Sequence, residues 1–265
     1  MNAVSPTAEF ASLVYGPTGV ELDDAAEAFH ESSRLYPRVA PRRLGTLLEL
    51  ARRPELQQTV ARSSRIHGHR PGIELARGVL PHVGLADALA ARRSSAPSER
   101  RSLSVRELGA VLEAAYAATA ERRTVPSAGA LYPLELYVLA LAVSGAQRAA
   151  FHYDPFTHRL ACLDLLDPKL VAAAFVDPAP SERAAAVLVV TAMFWRSRFK
   201  YGLRGYRFAL VEAGHVVQNV VLAAAALGLP ALPVGGYYDC RLDALVGANG
   251  LDEASVYAVV LGGRA

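Results

Sequence analysis

Lys200 and Tyr201 are the residues of this sequence best suited to moving a proton. Of its 28 lysine and arginine residues, only Lys169 and Lys200 are lysines. A guanidinium holds its proton near neutral pH, whereas a desolvated ammonium can give it up. A lysine followed by a tyrosine among Arg196, Arg198, Arg204 and Arg207 can therefore do acid–base work that arginine cannot. Burial beside Arg198 or Arg204 would push its pKa down toward the working range of a general base. An ordinary surface lysine would need none of this, so the surroundings decide.

Other stretches offer binding rather than proton transfer. Arg92, Arg93, Ser94 and Ser95 end a short amphipathic helix over residues 85–93. Two guanidiniums and two hydroxyls can clamp a phosphate, and the same cations can simply cap the helix. Pro126, Ser127, Ala128, Gly129, Ala130, Leu131, Tyr132 and Pro133 bracket small residues with prolines, which lets a backbone come close to a flat ligand. Val234, Gly235 and Gly236 turn the chain with amides exposed, and such donors suit a developing negative charge. Arg264 is placed to meet a phosphate at the end of the last strand. Glu212, His215 and Asn219 form one polar stripe on an otherwise apolar helix, which reads as an internal hydrogen-bond or subunit contact. His67 and His69 lack carboxylate or cysteine company and read as solvated loop residues; no metal site is expected.

Elements must position these groups. Residues 1–82 read as a helical appendage, with helices over Leu22–Leu35, Arg43–Arg52 and Pro54–Ser63. Residues 83–265 read as the main domain. There Ser104 and Glu107 have the spacing of a capping box for a helix over Ser104–Ala120. Leu134–Leu141 and Ala185–Phe194 are near-continuous apolar strands, which implies a sheet covered on both faces. Residues 151–163 read as a hairpin that leaves His152 and His158 at the surface, and Asp167-Pro168 starts a helix. Tyr206–Leu227 is the longest helix, followed by a strand over Leu229–Pro233, a helix over Arg241–Val246 and a final strand over Ser255–Gly262.

Composition bounds the function. With 52% hydrophobic residues the chain can bury a large core, and at a net charge of +3 it shows no nucleic-acid footprint. Ala213–Tyr238 carries no formal charge, yet its unbroken apolar run, Val220–Leu227, is too short to span a bilayer. No secretory signal is visible, and Cys162 and Cys240 form no metal or disulfide pattern. A cytoplasmic protein is expected, with neither membrane nor nucleic acid as partner.

PSAGALYPLELYV resembles the flavin-contacting segment of the nitroreductase superfamily. FKYGLRGYRFALVEAGHVVQN and LGLPALPVGG follow in the same order, so the resemblance runs from about residue 84 to the end of the sequence. Within the superfamily it is most similar to SagB-type or McbC-like azoline dehydrogenases, which act on ribosomal peptides and also occur as oxidase domains of nonribosomal peptide synthetases. AFHESSRLYP is loosely similar to a leader segment of such enzymes. The resemblance implies an α+β nitroreductase-like fold: a central mixed, mainly antiparallel sheet flanked by helices. It also implies an obligate homodimer with FMN between the subunits. It carries the catalytic pair onto Lys200 and Tyr201, and the phosphate site onto Arg92, Arg93 and Ser94. The flavin loop falls on Pro126, Ser127, Ala128, Gly129, Ala130 and Leu131, with Val234, Gly235 and Gly236 on a second side. Related flavoproteins often continue Arg-Arg-Ser-x-Arg, and here the last position is Ala96. The missing cation would be supplied by Arg100, Arg101 or Arg264. The implied reaction oxidises a thiazoline or oxazoline, made in a peptide by a cyclodehydratase or synthetase, to the azole, with oxygen restoring the flavin. The alternatives are an NAD(P)H-dependent nitro- or quinone reductase on the same fold and a non-catalytic flavoprotein scaffold of a heterocyclase complex.

Overall fold

The strand that follows the proline-bracketed loop is buried along its whole length, and helices cover both of its faces. The computed structural model describes residues 25–37, 52–61, 64–65, 67–78, 80–119 and 122–264. In chain order the elements are α1 (Ala25–Ser32), α2 (Pro54–Ala61), β1 (Gly72–Glu74), α3 (Leu85–Ala91), β2 (Leu103–Ser104), α4 (Val105–Tyr116), a 3-10 turn (Ala128–Ala130), β3 (Leu134–Ala140), β4 (Val143–Ser144), β5 (Ala149–Asp154), β6 (Arg159–Leu165), α5 (Pro168–Ala173), α6 (Ala179–Glu182), β7 (Ala186–Met193), α7 (Trp195–Tyr201), α8 (Arg204–Leu227), β8 (Ala231–Val234), α9 (Asp239–Val246) and β9 (Glu253–Leu261). Apart from Arg52, the helix expected over 43–52 lies outside the described residues, as do residues 22–24 of the first expected helix.

The main sheet has seven strands in the order β1-β6-β5-β3-β7-β9-β8, and every neighbouring pair is antiparallel. The parallel pairing is confined to the separate β2·β4 pair. Side chains alternate across β3, as a two-residue period requires. Leu134, Leu136 and Val138 face the core shared with α4 and α8, while Tyr137 and Leu139 face the core shared with α5 and α9. Ser104 caps α4 through the expected reciprocal bonds with Glu107. β1 lies before residue 83 and pairs with β6, so this part of the N-terminal segment extends the edge of the sheet.

α8 is the one helix among the described residues long and apolar enough to cross a membrane. Here it packs on α4, and half of its apolar window is buried inside the protein, as befits a core helix. The short helix α7 joins β7 to α8 and was not expected as a helix. Gly205 lets the two helices meet closely, since a Cβ there would lie 2.7 Å from the backbone of Ser197.

Two expectations are corrected. His152 and His158 are not surface residues; they are 1% and 0% exposed. Local pattern placed them on a hairpin, but Glu135 and the Ala76 carbonyl, from outside it, also reach them. His152 Nε2 lies 2.8 Å from Glu135 Oε2, and His158 is bonded to Tyr153 Oη at 2.8 Å and lies 3.2 Å from the Ala76 carbonyl. His67 is half-buried as well, with its ring 5.0 Å from that of His152.

Candidate active site

The proline-bracketed loop is held in a strained form. Gly129, Ala130 and Tyr132 all have positive φ, at 63°, 53° and 46°. Ala130 and Tyr132 carry side chains, and left-handed backbone at such residues costs of order 1–3 kcal/mol each unless the surroundings impose it. Several contacts impose it. Ser127 Oγ accepts the Tyr132 N–H at 2.9 Å, and the Ala130 N–H donates to the Ser127 carbonyl at 3.0 Å. Tyr132 Oη accepts the Arg123 N–H at 3.2 Å. The Ser127 hydroxyl thus serves the loop itself, and the loop meets a ligand chiefly through its backbone.

Gly129 seats the proton-transfer pair. A Cβ at this position would lie 2.5 Å from Tyr201 Oη and 2.9 Å from Lys200 Nζ. Residues about 70 positions apart in sequence therefore converge on one point. Lys200 Nζ lies 5.4 Å from the centroid of the Tyr201 ring, which packs edge-on against Phe208 at 5.0 Å. Burial pulls the Lys200 pKa below its ordinary value and pushes that of Tyr201 up. Desolvation is the leading cause of the lysine shift. Arg204 and Arg207 are turned to other work. Arg207 Nε donates to Ser33 Oγ at 2.8 Å and Arg204 donates to the Ser33 carbonyl at 3.4 Å, so both clamp the end of α1 onto α8.

Two buried carboxylates stand behind these parts. Glu135, at the start of β3, takes Arg196 Nη1 at 2.7 Å and the N–H of Arg65 at 3.1 Å in addition to His152. Burial would raise its pKa, yet the His152 hydrogen bond and the Arg196 charge outweigh that and hold it at about 2. The pair ties the first turn of α7 to the sheet. Glu212, on α8, accepts Tyr116 Oη at 2.8 Å. Burial dominates there and raises its pKa to about 7. The polar stripe on α8 thus divides: Glu212 and Asn219 turn inward, Asn219 donating to the Ala114 carbonyl at 3.1 Å, while His215 is exposed. Glu135 and Arg196 gave no signal in sequence; each is one ordinary charge until the fold pairs them.

The remaining candidates lie along β8. Arg93 and Ser95 line a cavity of about 450 Å³ with Arg101 and Gly263, whereas Arg92 Nη1 donates to Ser94 Oγ at 3.4 Å. Arg264 donates to the Leu227 carbonyl at 2.8 Å and lies 3.3 Å from Glu107, and Arg100 donates to the Glu182 carbonyl. Val234, Gly235 and Gly236 line a second cavity of about 360 Å³. A Cβ on Gly235 would meet nothing within 4 Å, so this side stands open. The Ser95 N–H donates to the Ala231 carbonyl at 3.0 Å, which ties the arginine segment to one end of β8 while the glycine pair leaves the other. At about 3.3 Å per strand residue these ends are roughly 10 Å apart. Among the described residues no cluster could hold a metal ion.

The model of the nitroreductase family matches residues 89–263. The chain belongs to the nitroreductase family. A nitroreductase-family protein of Methanocaldococcus jannaschii is 39% identical over 165 residues, which cover 60% of this chain and 82% of the relative. The microcin B17-processing protein McbC of Escherichia coli is 32% identical over 151 residues, covering 53% of this chain and 55% of McbC. The chain thus aligns with about half the length of McbC. A chain of the solved E. coli microcin synthetase McbBCD complex, with truncated pro-MccB17 bound, superimposes with a TM-score of 0.58 over 91% of this chain and 92% of its own at 23% identity. That likeness establishes the shared nitroreductase fold, which the strand order and the two-sided sheet express.

Proposed function

We propose that this protein is an FMN-dependent azoline dehydrogenase that oxidises thiazoline or oxazoline rings in a peptide to thiazole or oxazole. The observation that carries the reading is the seat of Lys200 and Tyr201 on Gly129 of the loop. A reductase fed by a nicotinamide has no need of a desolvated lysine there. The relation to McbC supports a peptide substrate, and the shared fold with a synthetase component supports work beside a cyclodehydratase or synthetase. The family suggests a homodimer.

Arg92, Arg93 and Ser94 would hold the cofactor phosphate, with Arg264 nearby, and the backbone of residues 126–131 and 234–236 would flank its ring. When bound, FMN would supply the two-electron acceptor for the hydride lost from the azoline ring carbon next to the heteroatom. Lys200 in its neutral form takes the proton from the carbon that bears the peptide carbonyl, where the resulting charge is delocalised. Loss of that proton and that hydride leaves the ring with one more double bond. Tyr201, a phenol kept protonated by burial, shares a hydrogen bond with the lysine nitrogen or relays the proton outward. The strained loop keeps the pair from drifting.

Lys200→Ala and Lys200→Arg are expected to abolish azole formation, read by the loss of two mass units from an azoline peptide, while the purified protein keeps its bound yellow flavin. Azole formation at the normal rate by Lys200→Ala sinks the mechanism. A wild-type protein without flavin absorbance that binds no added FMN sinks the whole reading.

A further inference from the structure

Arg123 is 5% exposed, yet among the described residues its Nε, Nη1 and Nη2 atoms have no hydrogen-bond partner. A guanidinium keeps its proton near neutral pH, so the buried charge is permanent. Such a charge destabilises a fold unless its surroundings compensate. Here the surroundings are aromatic. The guanidinium carbon lies 4.4 Å from the ring centroid of Tyr116, 4.8 Å from that of Tyr132 and 5.3 Å from that of Phe156. All three fall within the ~6 Å at which a ring face attracts a cation, an attraction that strengthens where water is excluded. The rings come from α4, from the proline-bracketed loop and from the turn between β5 and β6. One cation therefore ties three parts of the fold together.

The tie ends on a strained residue of the loop. Tyr132 has a φ of 46°, and Arg123 holds it twice: the Arg123 N–H donates to Tyr132 Oη at 3.2 Å, and the guanidinium lies against the Tyr132 ring. Arg123 is itself fixed, because it bridges to Ala118 and the neighbouring Thr124 N–H donates to the Ala117 carbonyl at 3.1 Å. From Tyr132 the constraint passes on. Its N–H donates to Ser127 Oγ at 2.9 Å, which closes the loop around Gly129, the seat of Lys200 and Tyr201. We propose that Arg123 is a positioning residue: its guanidinium, caged by three aromatic rings, fixes Tyr132 and so holds the loop in the strained form on which Lys200 and Tyr201 are seated. This deepens the reading of Lys200 as the proton acceptor and rests on it. A flexible neutral side chain could fill the same space, so packing alone gives no reason for an arginine here.

Arg123→Met removes the charge and leaves an unbranched side chain among the rings. Deuterium exchange of the purified protein, followed by mass spectrometry over residues 127–132, reads the loop without turnover. The Tyr132 and Ala130 N–H groups, bonded to the Ser127 hydroxyl and carbonyl, should exchange about tenfold faster in the variant, while the amides of β3 and α8 keep their wild-type rates. In azoline oxidation kcat should fall about tenfold with little change in KM, the mark of a misplaced proton acceptor and not of a lost substrate contact. A merely structural arginine would loosen β3 and α8 together with the loop and leave the kcat of the folded protein intact. If Arg123→Met folds poorly, Phe156→Leu takes away one wall of the cage and leaves Arg123 in place. The same two readings then decide, each expected to change about threefold. Wild-type exchange in the loop, or wild-type kcat, overturns the proposal. Should the wild-type protein form no azole at all, the functional reading fails and the positioning role falls with it, while the exchange result still shows whether Arg123 holds the loop.

Discussion

At the scale of the residue, Gly129 is where the backbone and the chemistry constrain one another. Its φ of 63° disfavours a side chain, and its Cα faces Tyr201 Oη and Lys200 Nζ. Gly129→Ala should therefore displace the pair. A misplacement near 1 Å costs about a hundredfold in turnover, so activity is expected to fall by that order while the melting temperature drops only modestly. Turnover within a few-fold of wild type would show that the pair does not depend on this seat. Lys200 must be neutral to accept a proton, and burial lowers its pKa, so kcat should rise with pH and level off below the ordinary lysine value of 10.5. Glu212 gives the opposite sign in stability. Its folded pKa is raised from 4.5 to about 7, so the folded state holds a proton that the unfolded chain releases. The associated stability is full below pH 4.5 and is lost as pH rises through 7. Glu212→Gln should then stabilise the fold at pH 8 by up to about 3 kcal/mol in urea titrations.

At the scale of the element, α7 is a helix of seven residues that could not stand alone, being too short for helical propensity to sustain. Its register depends on Arg196, 3% exposed and paired with Glu135. Glu135→Ala leaves a buried guanidinium without its carboxylate, which should cost about 3–5 kcal/mol. The pH dependence follows from the lowered pKa. Glu135 contributes stability above its ordinary value of 4.5, and that contribution, on the order of 3 kcal/mol, disappears as pH falls toward 2. Urea midpoints for wild type and Glu135→Ala should converge over that interval; a constant gap would separate the stability of α7 from this ion pair. The same pair explains what the sequence could and could not reveal. β3, β7 and α8 were legible because their hydrophobic patterns are local and strong, and the capping box of α4 because Ser104 and Glu107 are three residues apart. α7 was not legible as a helix: WRSRFKY places three cations in one turn and a half, and no local signal says that Arg196 is buried. His152 and His158 were misread for a related reason, since Glu135 on β3 and the Ala76 carbonyl far up the chain help to bury them. The convergence of Gly129 with Lys200 and Tyr201 was implied by family resemblance and not by spacing, because nothing in a sequence measures distance across 70 residues.

At the scale of the whole molecule, the N-terminal segment completes the buried charge balance of the domain. Glu253 opens β9 with 0% exposure and accepts Tyr137 Oη at 2.7 Å and Thr191 Oγ1 at 2.6 Å. Its cation, Arg65, comes from residues before the edge strand and lies 2.6 Å from the second carboxylate oxygen. The same residue gives its N–H to Glu135, and Ser64 adds its hydroxyl at 3.1 Å, so one short segment touches both buried acids. A charge buried without its partner is destabilising, whereas removing both partners is far less so. The Arg65 side chain is 33% exposed, which weakens its side of the pair. Arg65→Ala should thus cost about 2 kcal/mol, below the range for a wholly buried pair. Glu253→Gln keeps the shape of the side chain and needs no cation, so the double variant should recover most of the loss. Urea unfolding of the four proteins forms a cycle whose coupling is expected at about 1–2 kcal/mol. Additive losses would mean that Arg65 does not neutralise Glu253.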